Sequence, residues 1–550
     1  MPTSLRALTS LALVAACGHG DVAHPATTAR PRLVVLVVID QLPMWSFERK
    51  AARAHAGIAR ILREGVLFAD ARYPYATTAT SVGHAALTSG AAPDRSGIIG
   101  NKWFDRDAGE IEVIEDARYP VLVAAPPHPG TSALAGISPQ RLGVESVGDA
   151  LLRETRGAAR AVTISIKPRA AAMMGGQHPT LAVWYEPAQT AFATSRYYAA
   201  ALPGWLAELA RTAPIAPRIA GYTWTPLDPA GLTAATGVAD DAPGERGKLG
   251  LMGATFPHVL ASAKDPAEAV EATPLADELL LEAVVAALAG EQLGADDVPD
   301  LLCISFSAHD YIGHGWGPDS WESADDFARL DGVIGRLLDA LDARVGRDRW
   351  ALVLASDHGG TRVPEQAGGG AAHVDPDTFR APLEAAARAT VGDGDWIAFV
   401  SEQWVWLTAR GRALAEPERA RLLDALVATL RRQPGVAVAL RTDSVRGACE
   451  RRSGLEALVC RSAHARVGEV FWAPPPGSVA MKLPWDASNH ISPNIQDRVV
   501  PVIVVAPGAP RGAVVRREVS TLQVAATLAR LLGVPPPRDA SRRDPLPYDR

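Results

Sequence analysis

Short apolar runs rich in valine and isoleucine recur along the chain and alternate with longer amphipathic segments. The runs are LVVLVVI, AVTISI, LLCISF, ALVLA and VIVVA, at 33–39, 161–166, 301–306, 351–355 and 502–506. Runs that are apolar throughout are typical of strands buried on both faces of a sheet. Helical patterns lie between them, at 50–64, 274–290, 321–344 and 519–532. This alternation predicts an α/β sandwich with a mostly parallel central sheet and helices on both faces.

Charged side chains follow several of these runs, at the points where the predicted strands end. They are Asp40 after the first run, Lys167 and Arg169 after the second, Asp310 and His314 after the third, and Asp357 and His358 after the fourth. In open α/β sheets, ligands bind at the carboxyl ends of strands. Aspartate and histidine without thiolates form a ligand set suited to zinc in a catalytic site. Two metal ions at one site favour in-line displacement at phosphorus, so the pattern predicts phosphoryl-transfer chemistry.

Composition narrows the class of protein. The 550 residues are 48% hydrophobic and 21% charged, and the formal net charge is -6. That balance argues against nucleic-acid binding, which normally needs a basic excess. Four cysteines in a chain of this length exclude a scaffold built from disulfides. The composition is that of a large globular protein.

The N-terminus resembles a bacterial lipoprotein signal. A short apolar run from Leu11 to Ala16 precedes Cys17, and it is too short to span a bilayer. We therefore expect residues 1–16 to be a signal peptide, Cys17 to carry the lipid, and residues 17–31 to form a tether. The alternative is an ordinary signal peptide with an incidental cysteine. No later apolar run is long enough for a membrane-spanning helix.

The other three cysteines are expected to differ in role. Cys303 lies within an apolar run, which predicts a buried side chain. Cys449 and Cys460 flank a polar segment of a chain that we expect to be exported, so a local disulfide between them is one possibility and two free thiols the other.

Six separated blocks of sequence are spread over roughly 33–510: VVLVVIDQ, TTATSVGHAALTSGAAPDRSGIIGNKWFD, ISIKPRA, SFSAHDYIGHGWGPDS, ASDHGG and NHISP. In their order and spacing they resemble the alkaline phosphatase superfamily, and within it the bacterial single-chain phosphatases with a threonine nucleophile. The resemblance implies an alkaline-phosphatase-like three-layer sandwich with inserted cap segments. We expect a catalytic domain at 32–534 with insertions at about 180–295 and 375–480, and a loosely ordered C-terminal tail at 535–550.

The same resemblance implies a site for two Zn²⁺ ions and assigns their ligands. One ion is held by Asp40, Asp357 and His358, and the other by Asp310, His314 and His490. The resemblance places the nucleophile on Thr80, whose oxygen also counts as a metal ligand. Zinc sharply lowers the pKa of an oxygen that binds it, which makes a threonine alkoxide feasible. Ser81 and Thr78 are rival hydroxyl groups at this point.

Three further residues match positions that bind the phosphoryl group in the resembled family. Asn101 matches the asparagine that hydrogen-bonds a phosphoryl oxygen. Lys167 and Arg169 stand two residues apart, and on an extended segment both would point to the same side. Two cations there favour monoesters, which have more anionic oxygens than diesters. Diesterase relatives with the threonine and asparagine resemble this chain but lack the Lys-x-Arg pair.

Other histidines are expected to have structural roles. By strand alternation His309 would face away from Asp310, and His373 and His464 lie in polar, loop-like stretches. His84 is expected to pack beneath the nucleophile segment and to support it rather than to bind metal.

These observations predict an exported, lipid-anchored, zinc-dependent alkaline phosphatase, periplasmic or at the cell surface. It would hydrolyse small-molecule phosphate monoesters through a phosphothreonine intermediate. The alternative on the same metal core is a phosphodiesterase or nucleotide pyrophosphatase. A catalytically silent envelope lipoprotein is a third hypothesis, and the complete set of predicted ligands argues against it.

Overall fold

The computed structural model describes residues 30–125, 135–247, 252–482 and 486–549. The predicted signal peptide, Cys17 and nearly all of the predicted tether lie outside these ranges, so export and lipid anchoring stay predictions. Within the described residues, no helix combines the length and apolar character needed to cross a membrane.

A large mixed sheet forms the centre of the fold. Its strands are β1 Leu33–Ile39, β2 Val66–Arg72, β5 Glu115–Val123, β6 Gly136–Ile137, β7 Ala161–Ser165, β8 Leu181–Glu186, β9 Ala191–Ser195, β12 Asp300–Phe306, β13 Trp350–Ala355, β20 Val499–Val505, β21 Ala513–Val515 and β22 Val519–Ser520. Among the described residues they follow the order β21-β2-β20-β13-β1-β12-β7-β8-β9-β5-β6, and β22 also pairs with β2.

Five neighbouring strands in the middle of this sheet, β13, β1, β12, β7 and β8, run parallel. All seven side chains of β1 are fully buried, and they alternate between two hydrophobic cores. Val34, Leu36 and Val38 enter one core, while the residues between them enter the other. Both faces of the sheet are therefore covered, which confirms the predicted α/β sandwich.

Helices pack on both faces and connect the strands. Among the described residues, the α-helices that are at least eight residues long are Met44–Ala51, Gly57–Glu64, Thr80–Ser89, Val147–Glu154, Pro168–Gly175, Gly204–Thr212, Pro229–Thr236, Pro274–Gly290, Ala308–Trp316, Trp321–Arg344, Arg380–Val391, Glu418–Leu430, Gly454–Ser462 and Gln523–Leu532. The shorter ones are Pro93–Ser96, Ala216–Gly221, Pro266–Ala269, Pro364–Ala367, Ala409–Arg412, Thr442–Val445 and Ile495–Arg498. The expected helices at 274–290 and 321–344 are confirmed to the residue.

Two predicted helices begin or end elsewhere. The pattern at 50–64 is two helices, Met44–Ala51 and Gly57–Glu64, because the chain turns between them. The helix predicted at 519–532 begins at Gln523, because Val519 and Ser520 pair with β2 at the edge of the sheet.

A smaller sheet lies within the predicted insertion at about 375–480. Its strands are β15 Ile397–Val400, β16 Trp404–Leu407, β17 Val438–Arg441 and β18 Val470–Ala473, in the order β15-β16-β18-β17. Helices Arg380–Val391 and Glu418–Leu430 pack on it around a separate core. The other predicted insertion, at about 180–295, is wrong at its start, since β8 and β9 extend the central sheet there.

Three short pairs of strands complete the β-structure of the described residues. They are β3 Lys102–Asp105 with β4 Gly109–Glu112, β10 Thr223–Trp224 with β11 His258–Val259, and β14 His373–Val374 with β19 Val479–Ala480. The first hairpin contacts the smaller sheet, because Phe104 stacks on Phe399 with 5.6 Å between ring centroids. The hairpin, which begins directly after Asn101, therefore packs against the smaller sheet.

The sequence suggested a loosely ordered C-terminal tail, but in the structure the tail packs against the rest of the protein. Leu546 is fully buried and Tyr548 is 6% exposed. The tail is also fastened to the last helix, since Gln523 donates a hydrogen bond to Asp544 and Arg530 pairs with Asp549. Apolar residues among the prolines and arginines of the tail thus complete the main core. Of the cysteines, Cys449 and Cys460 form a disulfide, and Cys303 is buried as predicted.

The break between the first two helices depends on a carboxylate from a distant helix. Ala56, the N-cap residue of helix Gly57–Glu64, has no side chain that could accept a hydrogen bond. Asp331 supplies the acceptor: its carboxylate accepts hydrogen bonds from the backbone N–H groups of His55, Ala56 and Ile58 at 2.7–2.8 Å. Its side chain is 1% exposed, so these three bonds are shielded from water.

We expect Asp331→Ala to destabilise the protein by about 2–4 kcal/mol, because several N–H groups at a helix start would lose their acceptor in a buried place. Denaturant unfolding measures this. Asp339→Ala, in the same helix but exposed, is the matched control and should change stability by less than about 0.5 kcal/mol. Equal effects of the two substitutions would contradict the capping role.

Candidate active site

The charged residues predicted at strand ends meet at one edge of the central sheet. Asp40 follows β1, Asp310 lies four residues beyond β12, Lys167 lies two beyond β7, and Asp357 lies two beyond β13. These four strands are adjacent in the order β13-β1-β12-β7 and all run parallel. Their carboxyl ends therefore share one edge, which brings the four side chains together.

Asp310, His314 and His490 form one group of ligand-type side chains. Asp310 and His314 lie one turn apart on helix Ala308–Trp316, and His490 comes from the loop before β20. Asp310 Oδ1 lies 3.3 Å from His314 Nε2 and 3.6 Å from His490 Nε2. The structure thus brings together the three residues expected to hold one metal ion.

Asp40, Asp357 and His358 lie beside that group. His358 Nε2 is 3.1 Å from Asp357 Oδ2 and 3.5 Å from Asp40 Oδ1. Asp40 also forms compact groups with Asp310 and His358, and with His84 and Asp357. The His358 and His490 rings stack at 3.6 Å between centroids, so the two predicted ligand sets form one continuous cluster.

The orientation of the histidine rings suits metal binding. The Nδ1 atoms of His314, His358 and His490 lie 2.7–2.9 Å from the carbonyl oxygens of Ser488, Gly359 and Thr78. A neutral histidine that donates from Nδ1 leaves its Nε2 lone pair free, and this is how metal-binding histidines are usually held. All three Nε2 atoms face the carboxylates.

His84 is held in a different way. Its Nδ1 lies 2.8 Å from the Thr80 carbonyl oxygen, and its Nε2 lies 2.9 Å from Ser305 Oγ. Its Nδ1 is also 3.2 Å from Asp357 Oδ2. Because both ring nitrogens have partners within the protein, this geometry favours the predicted supporting role of His84 over metal binding.

Aspartates and histidines of the cluster have strongly shifted pKa values. Burial raises the pKa of Asp40 to about 7, and the Asp357 carboxylate adds to this rise. Burial alone would raise the pKa of Asp310, but the Lys167 ammonium, together with His314 and His490, outweighs burial and holds that pKa well below its usual range. Burial would lower the pKa of His358, yet Asp357 raises it to about 9.

Several atoms of the cluster are buried without a hydrogen bond. Among the described residues these include Asp40 Oδ1, His358 Nε2 and Thr80 Oγ1. Buried polar atoms are normally satisfied, and unsatisfied ones at one place commonly mark a site for an ion. Together with oxygen and imidazole donors from six residues, they fit divalent cations such as zinc.

Thr80 begins helix Thr80–Ser89 and is 1% exposed. Its helix packs directly on the backbone of Asp357, because a Cβ atom at Gly83 would overlap the Asp357 carbonyl group. The Asn101 side chain accepts a hydrogen bond of 2.9 Å from the Ser81 N–H group. The helix start, the asparagine and the ligand cluster are thus held as one unit, and the helix N-terminus favours a bound anion.

The two rival hydroxyl groups differ in their contacts. Thr78 Oγ1 donates hydrogen bonds to the carbonyl oxygens of His490 and Ser492, so it is occupied in holding the His490 loop. Ser81 Oγ, like Thr80 Oγ1, is buried without a hydrogen bond. Hydrogen bonding therefore argues against Thr78 as the nucleophile, whereas the hydroxyl groups of Thr80 and Ser81 have no partner.

Lys167 and Arg169 were expected on an extended segment, but they lie at the start of a helix. Lys167 is the N-cap of helix Pro168–Gly175, and Pro168 occupies the first helical position, where proline is favoured. Lys167 Nζ lies 2.7 Å from Asp40 Oδ2, contacts Asp310 Oδ2, and sits 4.6 Å from the centre of the Tyr311 ring. Arg169 Nε is buried without a hydrogen bond.

Two residues of the segment at about 375–480 hold the loop that leads to Thr80: Ser462, at the end of helix Gly454–Ser462, and Gln403, directly before β16. Ser462 Oγ accepts hydrogen bonds from the N–H groups of Ala76 and Thr77, and Gln403 donates to the Ala76 carbonyl oxygen at 2.9 Å. The segment predicted as a cap therefore also positions the nucleophile loop.

His309 and His373 lie outside the ligand cluster. His309 lies on helix Ala308–Trp316 rather than on a strand. Its side chain faces away from the ligands, as predicted: Nδ1 lies 2.9 Å from Asp326 and Nε2 lies 3.1 Å from Lys50. His373 Nε2 lies 3.1 Å from Glu365. Sequence reasoning missed Gln41 and Tyr311, although both directly follow predicted ligands, because a neighbouring position in sequence does not reveal where a side chain points.

The fold is that of the alkaline phosphatase superfamily, as the motifs predict. The chain belongs to the type I phosphodiesterase / nucleotide pyrophosphatase family, whose model matches residues 34–492. It is 33% identical over 344 residues to alkaline phosphatase PhoV of Synechococcus elongatus, a match that covers 62% of this chain and 61% of that protein. It is 28% identical over 426 residues to alkaline phosphatase PafA of Elizabethkingia meningoseptica, covering 76% of each.

The fold is also similar to a solved structure. The crystal structure of wild-type alkaline phosphatase PafA superposes with a TM-score of 0.84 and 24% sequence identity, over 94% of this chain and 98% of that one. The predicted three-layer architecture is therefore confirmed at the level of the whole fold.

We expect zinc to raise the melting temperature of metal-free protein by several degrees, because zinc at 1,000 times its Kd adds about 4 kcal/mol of stability per site. His490→Ala should lose much of this rise. His373→Ala, which alters a histidine outside the cluster, should keep it. Thermal unfolding with and without zinc gives the comparison, and an equal rise in all three proteins would contradict the ligand assignment.

Proposed function

We propose that this protein hydrolyses phosphate monoesters with two zinc ions and a phosphothreonine intermediate on Thr80. The observation that carries the proposal is the position of Lys167, a fully buried ammonium within contact of Asp40 and Asp310. A fixed cation inside the ligand cluster adds positive charge where a phosphate dianion would bind. The names of the curated relatives PhoV and PafA agree with this assignment.

Six side chains would hold the metal ions. Asp310, His314 and His490 would hold one, and Asp40, Asp357 and His358 the other, each with its donor atoms at the shared edge of the sheet. When bound, zinc lowers the pKa of hydroxyl groups and neutralises negative charge on attacking and leaving oxygens. Lys167 would then be freed from its contacts with the two aspartates, and its ammonium would be available to the substrate.

Thr80 supplies the nucleophilic oxygen. Deprotonated, Thr80 Oγ1 attacks phosphorus, the bond from phosphorus to the alcohol oxygen breaks, and the alcohol leaves after taking up a proton. Water then attacks phosphorus, the bond to Thr80 Oγ1 breaks, and phosphate is released. His84 contacts the Thr80 carbonyl oxygen, and Asn101 accepts a hydrogen bond from the Ser81 N–H group, so the backbone that carries the attacking side chain is held in place.

The choice of monoesters over diesters depends on charge. A monoester dianion presents three nonbridging oxygens, and a diester presents two with a single charge. Lys167 and Arg169 lie at the start of one helix, and the Arg169 guanidinium is near the Asp40 and Asp310 carboxylates. Charge-assisted hydrogen bonds from both cations would favour the dianion. The alternative, a phosphodiesterase, is favoured by the name of the matched family.

We expect Thr80→Ala to lower kcat/KM for an aryl phosphate at least about 1,000-fold, since loss of a catalytic nucleophile commonly costs that much. Ser81→Ala keeps the backbone N–H group that donates a hydrogen bond to Asn101, so its kcat/KM should stay within about tenfold of that of the parent protein. Steady-state kinetics measures both, and mass spectrometry of acid-quenched enzyme should find phosphate on the peptide that contains Thr80. Phosphate on Ser81 would overturn the assignment.

Arg169→Ala tests the substrate class. We expect it to lower kcat/KM for an aryl phosphate monoester roughly 10- to 150-fold, the worth of one hydrogen bond to a charged group, and to change the value for an aryl phosphate diester by less than about threefold. Arg169→Lys should recover part of the monoester loss. Lys167 is left intact because its removal would leave Asp40 and Asp310 without their cation. Equal losses on both substrates would contradict monoester selection by Arg169.

A further inference from the structure

Gln41 has contacts with both halves of the ligand cluster. Its backbone N–H group donates a hydrogen bond of 3.2 Å to Asp357 Oδ1, and its side-chain amide Nε2 donates one of 2.9 Å to Asp310 Oδ1. The residue is 1% exposed. One residue therefore joins a carboxylate from each predicted metal site, and it directly follows Asp40 in the chain.

The backbone of Gln41 is in an uncommon conformation. Its φ is 57°, in the left-handed region that residues other than glycine rarely adopt. Such conformations cost energy and persist where the surrounding structure requires them, often at functional sites. Here the left-handed turn after Asp40 lets the N–H group reach Asp357 while the side chain turns toward Asp310.

Two glycines make room for the Gln41 side chain. A Cβ atom at Gly313, which lies between Asp310 and His314 on their helix, would overlap Gln41 Oε1. A Cβ atom at Gly360 would lie 3.1 Å from Gln41 Cγ. The amide is therefore held in a closely fitting space, with its Nε2 toward Asp310.

The oxygen that Gln41 contacts is the one nearest the histidines. Asp310 Oδ1 lies 3.3 Å from His314 Nε2 and 3.6 Å from His490 Nε2, whereas Asp310 Oδ2 contacts Lys167. The Gln41 amide thus fixes the rotation of the Asp310 carboxylate so that Oδ1 faces the two imidazoles. Its contact with Asp357 is different in kind, because it comes from the backbone and survives any change of side chain.

We propose that Gln41 is a positioning residue whose side-chain amide sets the affinity of the Asp310–His314–His490 site for zinc, while its backbone supports the other site. The inference rests on the proposed function, since it assumes two zinc sites. Partners that orient a metal ligand typically contribute about 10- to 100-fold to metal affinity. Replacement of the side chain should therefore weaken one zinc site and spare the other.

The test is zinc binding to metal-free protein, measured by competition with a chromophoric chelator. Gln41→Met fills a similar volume without a donor, and we expect one of its two binding steps to be weakened about 10- to 100-fold. His490→Ala identifies which step is weakened, because it removes a ligand of the Asp310–His314–His490 site and should lose the zinc-binding step of that site. Gln523→Met is the matched control: Gln523 is 5% exposed and its amide also donates to a carboxylate, that of Asp544, in the C-terminal tail. Both steps should be unchanged in it.

A second variant guards against a loss of fold. Gln41→Gly suits the left-handed backbone and keeps the N–H group that reaches Asp357, so it should fold at least as well as Gln41→Met and show the same weakened step. Circular dichroism of the metal-free proteins checks the fold.

Several outcomes would overturn the inference: both steps unchanged, both weakened equally, the other step weakened, or failure of both Gln41 variants to fold when Gln523→Met folds. A parent protein that binds fewer than two zinc ions would count against the proposed function instead.

Discussion

The burial of three aspartates at one edge of the sheet is the constraint on which the rest of the site depends. Asp40, Asp310 and Asp357 are each at most 1% exposed. Among the described residues, Lys167 is the only lysine or arginine within ion-pair distance of any of them. Buried carboxylates are costly unless they are paired or bind a cation. The cluster therefore demands positive charge, which protons on the acids and histidines supply in part and divalent cations would supply fully.

A second layer of contacts around the three aspartates orients the side chains of the cluster. Backbone carbonyl oxygens hold the Nδ1 atoms of three histidines, and Gln41 holds two of the aspartates. Close packing contributes as well, since Gly83 lets the Thr80 helix lie directly on Asp357. Ser462 and Gln403, from the segment that contains the smaller sheet, fasten the loop before Thr80. The site is thus assembled from segments far apart in sequence that contact one another.

Much of the site could be predicted because continuous apolar runs mark buried parallel strands, and polar residues after such runs must meet at one edge. That reasoning placed Asp40, Asp310 and Asp357 together, and the family resemblance added Thr80, Asn101 and His490. What failed was local geometry set by distant contacts. The break before Gly57 depends on Asp331, 275 residues from Ala56 in the chain. The left-handed turn at Gln41 has no signal in its own sequence, because the residues that Gln41 contacts, Asp357 and Asp310, lie far away in the chain. Pro168 did carry a signal, for a helix start rather than an extended segment.

The most direct test of the account is a comparison of kcat/KM for an aryl phosphate monoester and the matching diester, on one preparation of the protein stripped of metal and then reloaded with zinc. The account predicts that both activities vanish with the metal, that they return as two equivalents of zinc are bound, and that the monoester is then preferred by orders of magnitude. A higher kcat/KM for the diester, or monoester hydrolysis that persists without metal, would contradict it.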